Sequence, residues 1–515
     1  MIERLTNALD EPEKARRRIA ALIAAHGEWL CAHAEGSMPA VALGRSEFDF
    51  RVSPGRLIYS CWTERGTLNW RVVGWEWTGD RLRLEVTRRM GAERAVLELI
   101  PRASASAISA TVSAARRKNC ERLGVLACAE ARGARVLSAR LSAGARRGQP
   151  GSYARILLQL PGERIAVTGT VVEARAQDVD AFLSSALIWF MRLAEGARSS
   201  HIQKLWLIVQ KNCTEPTAER LSLLRDDLRR AIATYEIDDG WQELADVPRR
   251  ERAELWSENK SERLRSAPPA NALSEQAASL CALAPEAVDV VRSRRGETLR
   301  FHGLPFARVR RVMGSSRVWF GLDGSRRRLL DESSEEEWIK LLRELKEHRR
   351  AEACDRRHAL YRLLPEAWLE SLLRRDITRL DPGLRLAPLH AQFRASQAAR
   401  SARPVDLLAL RRDGRLVVIE LKVSENREHV LQGADYWRQV EAHRRRGHIT
   451  RARLFGDAQI VDSPPLVYLV APTLRFHRAF HALAQAIDPA IEIYRFDVNE
   501  DWRGGVRVMR RARAN

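Results

Sequence analysis

The most constraining feature of this chain is a pair of apolar segments that carry charged residues where charge is costly. Residues 405–410 read VDLLAL and residues 416–423 read LVVIELKV, with RRDGR between them. Short apolar runs on either side of an Asp-Gly turn predict a hairpin of two strands in a protein core. Asp406, Glu420 and Lys422 interrupt these runs, and buried charges are unfavourable unless they are paired or bind a ligand. The pattern therefore indicates a functional site.

The spacing of these residues predicts their geometry. Side chains alternate along a strand, so Glu420 and Lys422 share one face while Leu421 points the other way. A tight turn brings Asp406 beside Glu420. Two neighbouring carboxylates need a cation between them, and oxygen ligands suit Mg²⁺, while a lysine can orient a water for attack on a phosphate. The alternative is a surface hairpin with incidental charges.

The acid on the first strand and the ExK of the second resemble the core motif of the PD-(D/E)XK nuclease superfamily. Residues 360–440 are especially similar to the catalytic domain of NucS-type endonucleases, with DLLA followed by GRLVVIELK. The resemblance covers the C-terminal residues 350–515. It implies a restriction-endonuclease-like fold, in which helices flank a mixed sheet.

Two flanking segments extend the resemblance. Upstream, LLPEAWLESLLRRDI (363–377) is similar to the family's leading helix, with Glu370 as the best match for its metal-site acid and Glu366 one turn earlier. Downstream, Gln432 and Tyr436 match the QxxxY of RecB-like members. The alternative for this glutamine and tyrosine is a helix that simply packs on the sheet.

The resemblance implies metal-dependent hydrolysis of phosphodiester bonds, with Mg²⁺ or Mn²⁺ as cofactor. The metal ligands that it implies are oxygen atoms of Asp406, Glu420, Glu370 and the Leu421 backbone carbonyl. Lys422 would orient the nucleophile, and Gln432 and Tyr436 would support the substrate or the metal. The histidines that follow the motif are not needed by a site of oxygen ligands, and we expect them to be exposed or to face phosphate: His429, His443 and His448.

An internal repeat precedes this domain. YARILLQLPGERIAVTGTVV (153–172) has the same strand–turn–strand form as residues 404–423, with Gly169 in place of Glu420 and Val171 in place of Lys422. Both stretches continue with a helix and a strand and end alike, in AIATYEIDDGWQ and AIEIYRFDVNEDWR. We interpret the first stretch as a degenerate nuclease-like copy. Such a copy could bind nucleic acid, pack against the active copy or mimic a dimer partner. The alternative is the common rhythm of any α/β unit.

Periodicity and composition predict an α/β protein of several domains. The ranges are 1–102 (a helix to about residue 35, then a small antiparallel β domain), 103–245 (the degenerate copy), 246–349 (a linker, a short sheet and a helix) and 350–515 (the nuclease domain). Within the second range we predict a helix over 105–123 and then a strand, GVLACAEA, over 124–131.

Charge and cysteine content bound the partners. The net charge of +21 favours a polyanion such as nucleic acid as partner. The alternative explanation is a high-GC genome, which encodes arginine in place of lysine. The seven scattered cysteines form no CxxC pair, and no signal peptide or long apolar run is present. We therefore expect a cytoplasmic protein that does not enter membranes. The chain has no P-loop, so any motor or repair partner is a separate protein.

The expected function is a metal-dependent DNA nuclease in DNA repair or defence, whose N-terminal regions bind the substrate. Its rival is a non-catalytic nucleic-acid-binding or assembly protein built on nuclease-like folds. A small-molecule or tRNA-processing hydrolase is a third possibility that the fold permits.

Overall fold

A computed structural model describes residues 3–5, 11–33, 41–44, 46–63, 66–144, 150–195, 202–257, 264, 273–293, 296–312, 315–322, 327–393 and 404–515. Over these residues the protein is a multidomain, mixed α/β protein with several sheets and 13 helices, which confirms the predicted class at that level. Its internal contacts divide the chain into two units. One comprises Met1–Glu173 and Trp241–Leu244, and the other comprises Ala174–Gly240 and Ala245–Asn515. The four domain ranges given above stay predictions.

The first unit opens with an antiparallel sheet and one helix. Its elements are β1 (Glu3–Leu5), α1 (Pro12–Ala24), β2 (Glu28–His33), β3 (Val41–Gly44), β4 (Phe48–Ser53), β5 (Arg56–Thr63), β6 (Gly66–Trp77), β7 (Leu82–Arg88) and β8 (Glu93–Pro101). The strand order is β3-β2-β8-β7-β6-β5-β4, and β1 pairs with β6. The helix predicted up to residue 35 ends earlier, because Trp29 and Leu30 lie on β2, where both are buried.

A long helix and a three-stranded meander complete this unit. They are α2 (Ala105–Glu130), β9 (Arg135–Ala143), β10 (Pro150–Leu160) and β11 (Glu163–Thr170). Both strand pairs are antiparallel, and Ala154 lies opposite Gly169. The strand predicted over 124–131 is wrong, since α2 continues to Glu130. Alanine, leucine and glutamate favour a helix, and that preference outweighs the short apolar run.

The second unit begins with alternating helices and strands. They are α3 (Val179–Glu195), β12 (Ile202–Gln210), α4 (Lys211–Leu221), α5 (Asp226–Ala231), β13 (Ile232–Ile237), β14 (Leu244–Val247, whose first residue belongs to the other unit) and α6 (Glu254–Ser257). Strands β12 and β13 are parallel.

A small antiparallel sheet follows, and its strands are neighbours in the order in which they occur in the sequence. Its elements are α7 (Glu275–Ala282), β15 (Val288–Ser293), β16 (Gly296–Phe301), β17 (Leu304–Val312), β18 (Ser315–Phe320), β19 (Arg328–Leu329), α8 (Glu335–His348) and α9 (Ala359–Arg362). The turn between β16 and β17 places His302 and Gly303 at positive φ. A Cβ on Gly303 would lie 1.9 Å from the Ala367 carbonyl oxygen, so only glycine allows this turn to approach the next helix.

The C-terminal sheet has six strands, which lie side by side in the order in which they occur in the sequence. Its elements are α10 (Pro365–Arg375), β20 (His390–Phe393), β21 (Val405–Leu410), β22 (Leu416–Leu421), α11 (His429–Arg445), α12 (His448–Arg451), β23 (Leu466–Pro472), α13 (Phe480–Ala486), β24 (Ile493–Val498) and β25 (Val508–Arg513). The first three strands are antiparallel, β22, β23 and β24 are parallel, and β25 returns antiparallel.

Alternation along β22 divides the core around this sheet into two layers. Val417, Ile419 and Leu421 pack with α10 residues on one face. Leu416 and Val418 pack with α11 residues on the other face. By the same alternation Glu420 and Lys422 belong to the face that α11 covers.

The predicted repeat has a counterpart in the order of elements. Helix α2, the meander β9–β11, α3, β12, α4 and β13 run in the same order as α10, the meander β20–β22, α11, β23, α13 and β24. In both stretches the last two strands are parallel neighbours. No helix among the described residues is both long and apolar enough to cross a bilayer.

Candidate active site

The hairpin of β21 and β22 is closed at its turn and open at its other end. Its ladder of paired residues begins beside the turn and stops at Leu407, which lies opposite Ile419. Beyond that point Asp406 Oδ2 accepts a hydrogen bond of 2.9 Å from the backbone N–H of Leu421. The aspartate side chain thus replaces a main-chain partner, and the strands separate where the charged residues lie.

Glu420 and Lys422 form a close pair at this open end. Glu420 is fully buried, and Lys422 Nζ donates to its Oε1 across 2.5 Å. The other carboxylate oxygen, Oε2, is also buried but accepts no hydrogen bond from any described residue. The Lys422 side chain keeps 11% of its surface exposed, so solvent reaches the site on that side.

The pKa values show which charges this environment favours. Burial, and then the charge of Asp406, raise the pKa of Glu420 well above its ordinary value. Burial also raises the pKa of Asp406, although Lys422 and the Leu421 N–H oppose the change. Burial alone would lower the pKa of Lys422, but Glu420 and Asp406 outweigh it and raise that pKa. Two ionised carboxylates would carry more negative charge than the one ammonium group balances, so without a cation the site favours protonation of an acid.

The donors present suit a hard divalent cation. The site offers the Asp406 carboxylate and the buried Oε2 of Glu420, and oxygen atoms are the ligands that Mg²⁺ and Mn²⁺ prefer. Within the described ranges no three side chains of His, Cys, Asp or Glu are grouped as a metal site. Two carboxylates would thus need backbone, amide or water oxygens to complete the coordination.

Helix α11 covers this face with the two residues of the QxxxY pattern. Gln432 Nε2 donates to the Tyr436 hydroxyl across 2.8 Å, and both side chains are buried. Burial, followed by the charge of Glu420, raises the pKa of Tyr436, which places this hydroxyl in the electrostatic field of the site. The Oε1 atom of Gln432 is buried without a hydrogen-bond partner among the described residues.

The expectation that the nearby histidines are exposed is wrong for two of them. His429 and His443 are buried on α11, because that helix is enclosed by its neighbours on several sides. The Nε2 atom of His429 lies 3.2 Å from the Glu420 carbonyl oxygen. Burial, and then the Lys422 charge, lower the pKa of His429 to about 3, so this ring is neutral at physiological pH.

Glu370 occupies α10 as predicted, but it has a partner that the sequence did not indicate. Its Oε1 accepts a buried hydrogen bond of 3.0 Å from Arg300 on β16. Arg300 also donates two hydrogen bonds to Asp289, at 3.0 and 2.8 Å. Glu370 raises the pKa of Asp406, so its charge acts on the site, while the small sheet holds its carboxylate.

The structure thus brings Asp406, Glu420 and Lys422 together, with Gln432 and Tyr436 on the covering helix and Glu370 beside them. Arg300 was missed because it lies 70 residues from Glu370, and a single arginine in a strand has no distinctive local pattern. No family model, curated protein or solved structure matches this chain. The geometry of the site and the resemblance of its motif therefore remain the two indications of function.

Substitution of Glu370 distinguishes a direct metal ligand from a neighbour that acts through Arg300. We expect Glu370→Gln to weaken Mn²⁺ binding and DNA cleavage by about tenfold, the range typical of groups that support a metal site from outside. Arg300 keeps Asp289 as a partner in this variant, so the fold should persist. Mn²⁺ affinity can be measured by calorimetry beside Asp406→Asn. An equal loss in both variants would instead make Glu370 a ligand.

Proposed function

We propose that this protein is a metal-dependent nuclease that hydrolyses phosphodiester bonds in DNA, with its site at Asp406, Glu420 and Lys422. The observation that carries the proposal is the fully buried Glu420, which lies beside Asp406 and Lys422 and whose Oε2 accepts no hydrogen bond from a described residue. Burying two neighbouring carboxyl groups costs free energy that a bound cation would offset. The neighbours of Glu420 are a second carboxylate and a lysine, the set that the PD-(D/E)XK motif supplies.

Asp406, Glu420 and the Leu421 carbonyl would hold Mg²⁺ or Mn²⁺. A bound divalent cation supplies Lewis-acid stabilisation of the charge that develops on a phosphate. Lys422 carries its proton at neutral pH, because both carboxylates raise its pKa. Its ammonium group would therefore orient the attacking water and balance negative charge, rather than accept a proton. Gln432 and Tyr436 would fix the position of these groups from α11, through their mutual hydrogen bond.

The proposed substrate follows from charge and from the resemblance. A net charge of +21 favours binding to the phosphate backbone. Residues 103–245 would be a degenerate nuclease-like copy, because the register places Ala154 opposite Gly169, where the C-terminal hairpin brings Asp406 beside Glu420. Such a copy has no carboxylate pair and cannot hold the metal. A motor or repair partner, if one acts with this protein, would be a separate chain.

A non-catalytic assembly protein is the second candidate. It is favoured by one observation, namely that only two carboxylates, without a third ligand side chain, meet in the described residues. The discriminating feature is Lys422, because a scaffold has no use for a buried lysine between two acids.

The test is cleavage of labelled single-stranded and double-stranded DNA with Mg²⁺, Mn²⁺ or EDTA. We expect cleavage that requires metal and that falls by at least about a hundredfold in Lys422→Met, the usual effect of losing a positioned catalytic group. Lys346→Met is the matched control, since Lys346 is an exposed lysine on α8. Metal-independent DNA binding without cleavage, equal in all three proteins, would contradict the nuclease and favour the assembly protein.

A further inference from the structure

The helices around α11 are arranged as at the interface of a symmetric dimer. Helices α3 and α11 hold matching places in the two stretches, and so do α4 and α13, which each follow the strand after those helices. In the second unit α3 contacts α11, α4 contacts α11, and α13 contacts α3. The matching helices α3 and α11 thus meet each other. In addition, α4 contacts α11 and α13 contacts α3, so the second helix of each stretch lies against the first helix of the other. This exchange of contacts is the signature of a two-fold, isologous interface.

A main-chain bridge lies at the centre of the same arrangement. Leu224 and Ile487 pair in the antiparallel sense, and each lies within three residues of the end of its helix, α4 or α13. The Arg225 N–H donates to the Ala486 carbonyl at 3.0 Å, and the Asp488 N–H donates to the Leu223 carbonyl at 2.9 Å. Two matching segments that cross antiparallel at one point are what a local two-fold axis produces.

A buried ionic cluster joins the same two stretches. Arg220 on α4 contacts Asp180 of α3, in the same stretch, at 3.0 Å. It also contacts Asp435 of α11, in the other stretch, at 2.8 Å. Arg438 of α11 contacts Asp435 at 2.8 Å and reaches back to Glu219 at 2.9 Å. All five side chains keep 15% or less of their surface exposed. Charged pairs that are this well enclosed hold their geometry tightly, because losing one partner leaves a buried charge unbalanced.

From these contacts we infer that residues 174–240 act as a built-in dimer partner for the C-terminal domain, and that Arg220 is a positioning residue for α11. This inference rests on the proposed nuclease function. Asp435, which Arg220 holds, lies three residues after Gln432 and one before Tyr436 on the same helix. The first stretch thereby fixes the position of Gln432 and Tyr436, the pair that covers Glu420. The degenerate copy is retained as a support for the catalytic helix.

The test compares Arg220→Met, the double variant Arg220→Met with Asp435→Asn, and Arg230→Met as an exposed control in the same segment. The single variant leaves Asp435 undercompensated, so both stability and kcat should fall. The double variant also removes the Asp435 charge, so its Tm should recover part of that loss, while Asp180 still lacks Arg220. If Arg220 positions α11, kcat of the double variant stays about tenfold or more below the wild type, with an unchanged KM for DNA. Arg230→Met should match the wild type.

Recovery of the wild-type kcat together with Tm in the double variant would overturn the inference, because the cluster would then only stabilise the fold. An unchanged kcat in Arg220→Met would overturn it as well. If the wild type cleaves no DNA, the proposed function fails, and the Mn²⁺ dissociation constant of the same proteins decides the inference. A rise of about tenfold in both variants that lack Arg220, with no rise in Arg230→Met, supports positioning by Arg220. Unchanged or absent Mn²⁺ binding contradicts it.

Discussion

Glu420→Gln should reduce DNA cleavage by at least about a thousandfold and at the same time stabilise the fold. Glutamine has nearly the same shape as glutamate but gives up the negative charge that would attract the metal. A neutral amide is also easier to bury than a carboxylate, and it avoids the repulsion between Glu420 and the Asp406 charge. A residue whose replacement improves stability while abolishing activity is maintained for function.

The stability gain should depend on pH in a defined direction. The pKa of Glu420 is raised in the folded protein, whereas the unfolded chain ionises this group near its ordinary value of 4.5. Ionisation in the unfolded chain therefore favours unfolding once the pH exceeds that value, and the penalty grows with pH until the folded-state group also ionises. Glu420→Gln removes this penalty. Urea unfolding of the metal-free protein should show a larger gain at pH 7 than at pH 5, on the order of 0.5–2 kcal/mol.

Glu441 offers a matched control for this prediction. Like Glu420, it is a fully buried glutamate, although it lies on α11, which covers the sheet, rather than on a strand. Its carboxylate, in contrast, accepts hydrogen bonds from both Arg444 and Arg445. Glu441→Gln should therefore lower stability, because Arg444 and Arg445 lose the charge of a shared acceptor, and it should leave cleavage within about threefold of the wild type. Equal behaviour of the two variants would mean that Glu420 is an ordinary buried charge.

The hairpin and the contact between Glu420 and Lys422 could be predicted because their sequence signal is local. The hairpin over Val405–Leu421 follows from two apolar runs and an Asp-Gly turn, and the shared face of Glu420 and Lys422 follows from strand alternation. The same reasoning failed for residues 124–130, because a short apolar run shows no periodicity that distinguishes a strand from a buried helix.

The contacts that complete the site could not be predicted, because they join residues far apart in the chain. Arg300 meets Glu370 across 70 residues, and Arg220 meets Asp435 across 215. One arginine in a strand or helix looks the same in sequence whether it is solvated or buried in an ion pair. Only the fold decides which of the many arginines of this chain lies opposite an acid.

Arg349 is the clearest case of such an arginine, and Arg349→Met should lower the free energy of unfolding by about 3–5 kcal/mol. Its side chain is fully buried, and the guanidinium group donates to backbone carbonyls rather than to a carboxylate. Four acceptors lie at 2.7–2.9 Å and a fifth, Leu364, lies at 3.5 Å; the four are Phe301, His302, Leu360 and Leu363. It also lies 4.8 Å from the ring of Trp368, on the helix that carries Glu370.

These carbonyls belong to two separate segments, so one side chain joins the small sheet to the turn before α10. Burial, and then the neighbouring Arg503, lower the pKa of Arg349 to about 9, which leaves the group charged at pH 7. Methionine fills a similar volume but donates no hydrogen bond, and four buried acceptors then lose their donor. Arg349→Lys keeps the charge, but all its N–H donors are on one nitrogen. It should therefore recover less than half of the free energy of unfolding that Arg349→Met loses.

Urea unfolding at pH 7, monitored by circular dichroism, measures this effect, with the exposed Arg343→Met on α8 as control. Leu364, which begins the approach to α10, has a φ of 43°, a conformation that non-glycine residues adopt only when their surroundings enforce it. The hydrogen bonds from Arg349 end beside this residue, and they explain how the strained turn is held. A loss below about 1 kcal/mol would show that packing of Trp368 is enough to fix α10, and that water can replace the guanidinium group.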